Sequence, residues 1–84
     1  MKHVDSYSYA AAITKHDSDN FADGECHRIY VGGAGVVAVV LPDDSVVNMT
    51  AVAGGYLQVR AKRVNSTNTT ATLMIALYPF KGWR

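Results

Sequence analysis

Gly35-Val36-Val37-Ala38-Val39-Val40-Leu41 is an unbroken apolar stretch rich in valine, and Pro42-Asp43-Asp44-Ser45 follows it directly. Seven residues is strand length, short of what a buried helix needs. Valine, stiff at its branched Cβ, fits an extended backbone well. The run has no polar alternation, so both faces need cover, from a second sheet or from a neighbouring subunit. The four residues after it are a turn: proline presets φ, and aspartate and serine side chains bond nearby backbone. Val46 to Ala51 then runs back as the next strand.

Outward from this pair, Arg28 to Val31 alternates, with Ile29 and Val31 on one face. Gly32-Gly33-Ala34-Gly35 reads as a tight hairpin between that strand and the valine run. Ala53-Gly54-Gly55 breaks the chain again. Tyr56 to Val64 alternates: Leu57, Val59 and Ala61 point one way, Gln58, Arg60 and Lys62 the other. A polar turn at Asn65-Ser66-Thr67-Asn68-Thr69 leads into Thr70 to Tyr78, with Ala71, Leu73, Ile75 and Leu77 expected to face in. Near the start, Tyr7, Tyr9, Ala11 and Ile13 line one face of an additional strand, and Lys15 to Asn20 is loop. The expected fold is all-β: a small antiparallel β-sandwich or barrel, a meander of about five to six short strands with N- and C-terminal arms. Residues 1–26 form the N-terminal arm, 27–78 the β domain and 79–84 the tail. Both arms are expected to be docked.

The chain has 84 residues, enough for one small domain with a modest core. Such domains gain stability from disulfides, metals or oligomerisation. Cys26 is the only cysteine, so no disulfide forms within the chain. No stretch approaches the roughly 18 apolar residues of a membrane span, and no apolar leader marks a secreted product. The outer side of the valine strand is expected to stay partly exposed in a monomer. Self-association is therefore the expected source of stability.

No catalytic, cofactor or metal site is read from these residues. Cys26, with His3, His16 and His27, does not make the recurring spacing of a zinc site. Adjacent Cys26 and His27 on a strand point to opposite faces, which disfavours a nucleophile pair. The glycine run lacks the following helix that a phosphate loop requires. The Asn48, Asn65 and Asn68 triplets match glycosylation acceptors but read as turn and strand chemistry.

Net charge is +1, yet all seven acids precede Ser45, and from Ser45 onward every charge is basic. A fold that brings the two parts together accounts for this; so does head-to-tail contact between copies. Arg60, Lys62 and Arg63 form the one basic cluster, without the overall charge and interleaved aromatics of a nucleic-acid module. They read as a solvated strand face or an interface patch, and direct nucleic-acid binding is not expected. Phe80 and Trp83 lie beyond the last strand, after Pro79, and are expected to anchor on a neighbour or on a larger assembly. With Tyr7 and Tyr9, these are the candidate interface residues.

Three stretches carry a resemblance: Tyr7-Ser8-Tyr9-Ala10-Ala11-Ala12; Ile29-Tyr30-Val31-Gly32-Gly33-Ala34-Gly35 with the valine run to Val40; and Arg60-Ala61-Lys62-Arg63-Val64-Asn65-Ser66-Thr67-Asn68-Thr69-Thr70-Ala71, closing on Ala76-Leu77-Tyr78. Together, over about residues 5 to 78, they resemble the spike base protein family of phage and gene-transfer-agent structural genes. The extension from Pro79 to Arg84 departs from that pattern. The resemblance implies a virion protein of the capsid surface, made in the host bacterial cytoplasm and not an enzyme. It implies a capsid-surface cement or a base on which vertex spikes sit. Its partners would be itself (a trimer for a cement, a pentamer for a base), the major capsid protein, and a spike or fibre protein. A tail or receptor-binding module contacting a host glycan is the alternative.

Overall fold

The Pro42-Asp43-Asp44-Ser45 turn closes as the residues dictate. In the computed structural model, which describes residues 7–82, the Asp44 N–H donates to the Leu41 carbonyl at 2.9 Å and the Leu41 N–H to that of Ser45 at 2.8 Å. Asp43 Oδ1 accepts from the Ser45 N–H, and Asp44 takes a positive φ of 72°. This turn joins β3 (Gly35–Val40) to β4 (Val46–Ala51), antiparallel with Val37 opposite Met49.

The other strands are β1 (Tyr9–Ala12), β2 (Arg28–Gly33), β5 (Gly55–Leu57), β6 (Arg63–Val64) and β7 (Thr72–Tyr78). They form two antiparallel sheets: a front sheet ordered β1-β7-β2-β5 and a back sheet ordered β4-β3-β6. The chain is all-β, a small sandwich. Its core lies between the sheets and takes Ile29 and Val31 from β2, Val37 and Val39 from β3, Leu57 from β5, Val64 from β6, and Met74, Ala76 and Tyr78 from β7. Tyr9, Ala11 and Ile13 pack against its side, as the N-terminal pattern predicts.

Three expectations are corrected. The glycine run is not a hairpin: β2 and β3 belong to different sheets, and Gly32 to Gly35 carries the chain between them. The glycines are needed because the start of β7 lies against them. A Cβ on Gly33 would sit 1.9 Å from Thr72 Oγ1, and one on Gly35 would sit 2.6 Å from the Ala71 nitrogen. Nor is Tyr56 to Val64 one strand. It begins as β5 in the front sheet and ends as β6 in the back, while Leu57 and Ala61 keep their inward phase. Third, Met74, Ala76 and Tyr78 face the core, and Leu73, Ile75 and Leu77 do not. The cause is Leu73, whose φ of +54° breaks the alternation between buried Ala71 and buried Met74.

The valine strand is covered on both faces, as its lack of polar alternation requires. Val37 and Val39 enter the core, and Ala38 and Val40 on the other face are also buried within the single chain. The expected exposed outer side of this strand is therefore absent. Its second edge is sealed as well. Val40, Ala38 and Val36 carbonyls accept from Lys62, Asn65 and Thr70 N–H groups, and the Ala38 N–H donates to the buried Thr69 hydroxyl at 2.9 Å. Beyond β6, the 16–26 segment continues the back sheet through bonds from His16, Phe21 and Cys26 N–H groups to Val64, Lys62 and Ala61.

Candidate interaction surface

An antiparallel sheet with one wet face normally alternates apolar inside and polar outside. The front sheet breaks that rule. Its register places Ala10 beside Leu77, Ala12 beside Ile75, Ile75 beside Tyr30 and Tyr30 beside Tyr56, all on the outward face. The Tyr30 and Tyr56 rings meet edge-on, centroids 5.4 Å apart. Leu73 extends this face with 76% of its surface exposed, in a left-handed conformation that costs a leucine about 1 kcal/mol or more. Arg28 is the charge among these residues. Its guanidinium lies 5.8 Å from the Tyr7 ring centre, and Tyr7 Oη and His27 Nδ1 are 3.1 Å apart.

Two strand edges add unpaired backbone. Ile13 N–H donates to the Met74 carbonyl, so the odd residues of β1 bond to β7 and Ala10 and Ala12 direct theirs outward. On β4 the odd residues bond to β3, leaving Val46, Asn48 and Thr50 directed outward. Residues 45–59, which include all of β4 and β5, carry no charge, and Val46 and Val47 are exposed. Proteins usually blunt such an edge with lysine, proline or a cover. Beside the edge of β1 runs a groove of about 200 Å³, with Ala11, Ile13, Phe21 and Tyr78 in its walls and Asp19 and Asp23 at its rim.

The candidate interface residues fall in different places. Arg60 pairs with Glu25 at 3.2 Å, and Lys62 pairs with Asp44. Arg63 donates to Ser18 O, Asn20 Oδ1 and Asn65 Oδ1. Much of the charge asymmetry is thus met inside the chain, where the fold brings acidic and basic parts together. Tyr9 leans on Tyr78, ring centres 5.5 Å apart, and donates its hydroxyl to Asp23, which holds its pKa above the ordinary tyrosine value. Tyr7 is half-buried at the rim. Phe80 is 54% exposed. Trp83 lies outside the described residues. The outward residues of β7 and the edge of β4 were not singled out from sequence. The signal was present, since Leu73 to Tyr78 is apolar on both phases like the valine run.

Cys26 and His27 do point apart. The thiol is buried in the core, where desolvation pushes its pKa up to about 11, so it stays protonated near neutral pH. Tyr78, raised to about 12 mainly by burial, donates its hydroxyl to the Gly24 carbonyl at 2.9 Å. Among the described residues no three metal-ligating side chains converge.

No family model matches the sequence, and no curated protein matches it. Among solved structures, the fold is similar to a chain in the capsid of a native gene transfer agent particle computed with C5 symmetry. The two are 28% identical with a TM-score of 0.80, and the match covers 92% of this chain and 90% of that one.

Proposed function

We propose that this chain is a virion structural protein, a capsid-surface component that acts by assembly and not by turnover. The single observation that carries the reading is the near full-length likeness to a gene-transfer-agent capsid chain. Two features of the molecule support it. The outward face of the front sheet is apolar where a solvated sheet would be polar. The one thiol is a protonated core residue and not a nucleophile. On this reading the protein joins copies of itself and the major capsid protein, either as a cement between capsomers or as the base of a vertex spike.

The test is to purify particles from cells that carry this gene, identify the chain by mass spectrometry, and image particles bearing a labelled copy. Label at five-fold vertices makes it a spike base; label between capsomers makes it a cement. Particles that lack the chain would sink the proposal.

A further inference from the structure

The two open edges lie on opposite sides of the sandwich. β1 sits on the side of β6, because the 16–26 segment leaves β1 and runs along β6. β4 sits on the other side, next to β5. We infer that β4 of one copy pairs antiparallel with β1 of the next, seating Val47 in the groove beside β1. This deepens the assembly reading and rests on it.

Four observations select a second copy as the occupant. First, both edges direct backbone groups outward from even-numbered residues, so Ala12 opposite Val46 and Ala10 opposite Asn48 exchange complete pairs of hydrogen bonds. Second, the same register brings the Pro42–Ser45 turn, which carries Asp43, to the end of β1 that Lys15 follows. Lys15 donates to the Thr69 carbonyl and Asp43 accepts from Ser45; neither forms an ion pair among the described residues. Pairing two β4 strands with each other instead would bring Asp43 no cation beyond Lys62 of its own chain. Third, the acceptor strand is Ala10-Ala11-Ala12, whose small side chains let another backbone approach. Fourth, Ala11 faces the groove and stands opposite Val47, an exposed valine on an uncharged strand. Edges of this kind are heterologous: they close a ring or propagate a line, and do not stop at a two-fold dimer.

Two variants test the pairing. Asn48→Pro removes an outward N–H and leaves the bonds of β4 to β3 in place, so it folds but loses the oligomer at micromolar concentration. Ala11→Cys and Val47→Cys chains, oxidised together, form an intermolecular disulfide; neither does so alone. Should Asn48→Pro fail to fold, the cross-link decides. An oligomer that survives in folded Asn48→Pro, a missing cross-link, or Val47→Cys linking to itself overturns this pairing and leaves the assembly reading standing. Unmodified chain that sediments as a monomer overturns both.

Discussion

β3 and β7 look alike in sequence, each apolar on both phases, yet the molecule treats them differently. β3 is central in its sheet and buried on both faces within one chain. β7, also central in its sheet, buries Met74, Ala76 and Tyr78 and turns Leu73, Ile75 and Leu77 outward, leaving Leu73 exposed and Ile75 and Leu77 half-buried. A two-sided apolar strand favours cover on both sides; it does not say whether the same chain supplies it. For β3 the fold supplies it. For β7 the chain supplies full cover on the inner side alone.

The most severe way to break this contrast is to place a charge on each strand. Val40→Asp buries a carboxylate opposite Arg63, whose guanidinium is already bonded to Ser18, Asn20 and Asn65, and is expected to cost about 4 kcal/mol, enough to unfold a domain of this size. Leu73→Asp, at a position 76% exposed, should stay folded. Thermal denaturation of the two, followed by circular dichroism, separates them. Next, Gly33→Val drives side-chain atoms into Thr72 where the chain crosses between sheets, and should cost about 3 kcal/mol in urea unfolding.

A milder change sharpens the contrast. Leu77 is half-buried, so Leu77→Ser should destabilise the monomer by about 1.5 kcal/mol while weakening self-association or capsid binding at least about tenfold, equivalent to about 1.4 kcal/mol. Equal affinity by sedimentation would show that the outer face is solvent-facing in function. Smaller still, Leu73→Gly relieves a left-handed leucine and should stabilise the fold by about 1 kcal/mol. If Leu73 is an assembly contact, the same change lowers affinity.

The smallest effect concerns the segment that seals the back sheet. Thr67 donates its hydroxyl and its N–H to Asp17, both at 2.8 Å, and these bonds hold the carboxyl below its ordinary value of 3.8. A depressed folded pKa gives stability above the unfolded value that disappears as pH falls through the folded one. Asp17→Asn should therefore be slightly less stable at pH 7, and the gap should close below pH 3.8.

Much of the fold was legible because its signals are local. The Pro42 to Ser45 turn, the two-sided burial of β3 and the inward phase of Ile29 and Val31 each follow from a few adjacent residues. The errors share a cause, which is contact between distant parts. Gly33 and Gly35 are small because β7 lies on them, and a glycine run that serves packing reads like one that serves a turn. Leu73 is the sharper case. No propensity places a leucine at positive φ, so strict alternation put the wrong half of β7 in the core. The proposed contact surface was harder still. Arg60 and Lys62 stand out as charges, and within the chain they pair with Glu25 and Asp44. The uncharged edge of β4 passed as an ordinary strand, because the sequence does not reveal which strands end a sheet.

Cys26 offers a clock. Its sulfur has no route to solvent in the folded chain, and its backbone bridges to Ala61, where the N-terminal segment is fastened to the back sheet. A thiol reagent can mark it only during excursions that unfasten that joint. The marking rate of free chain, set beside that of chain seated in a particle, measures how far neighbours suppress those excursions. No residue need be changed to read it.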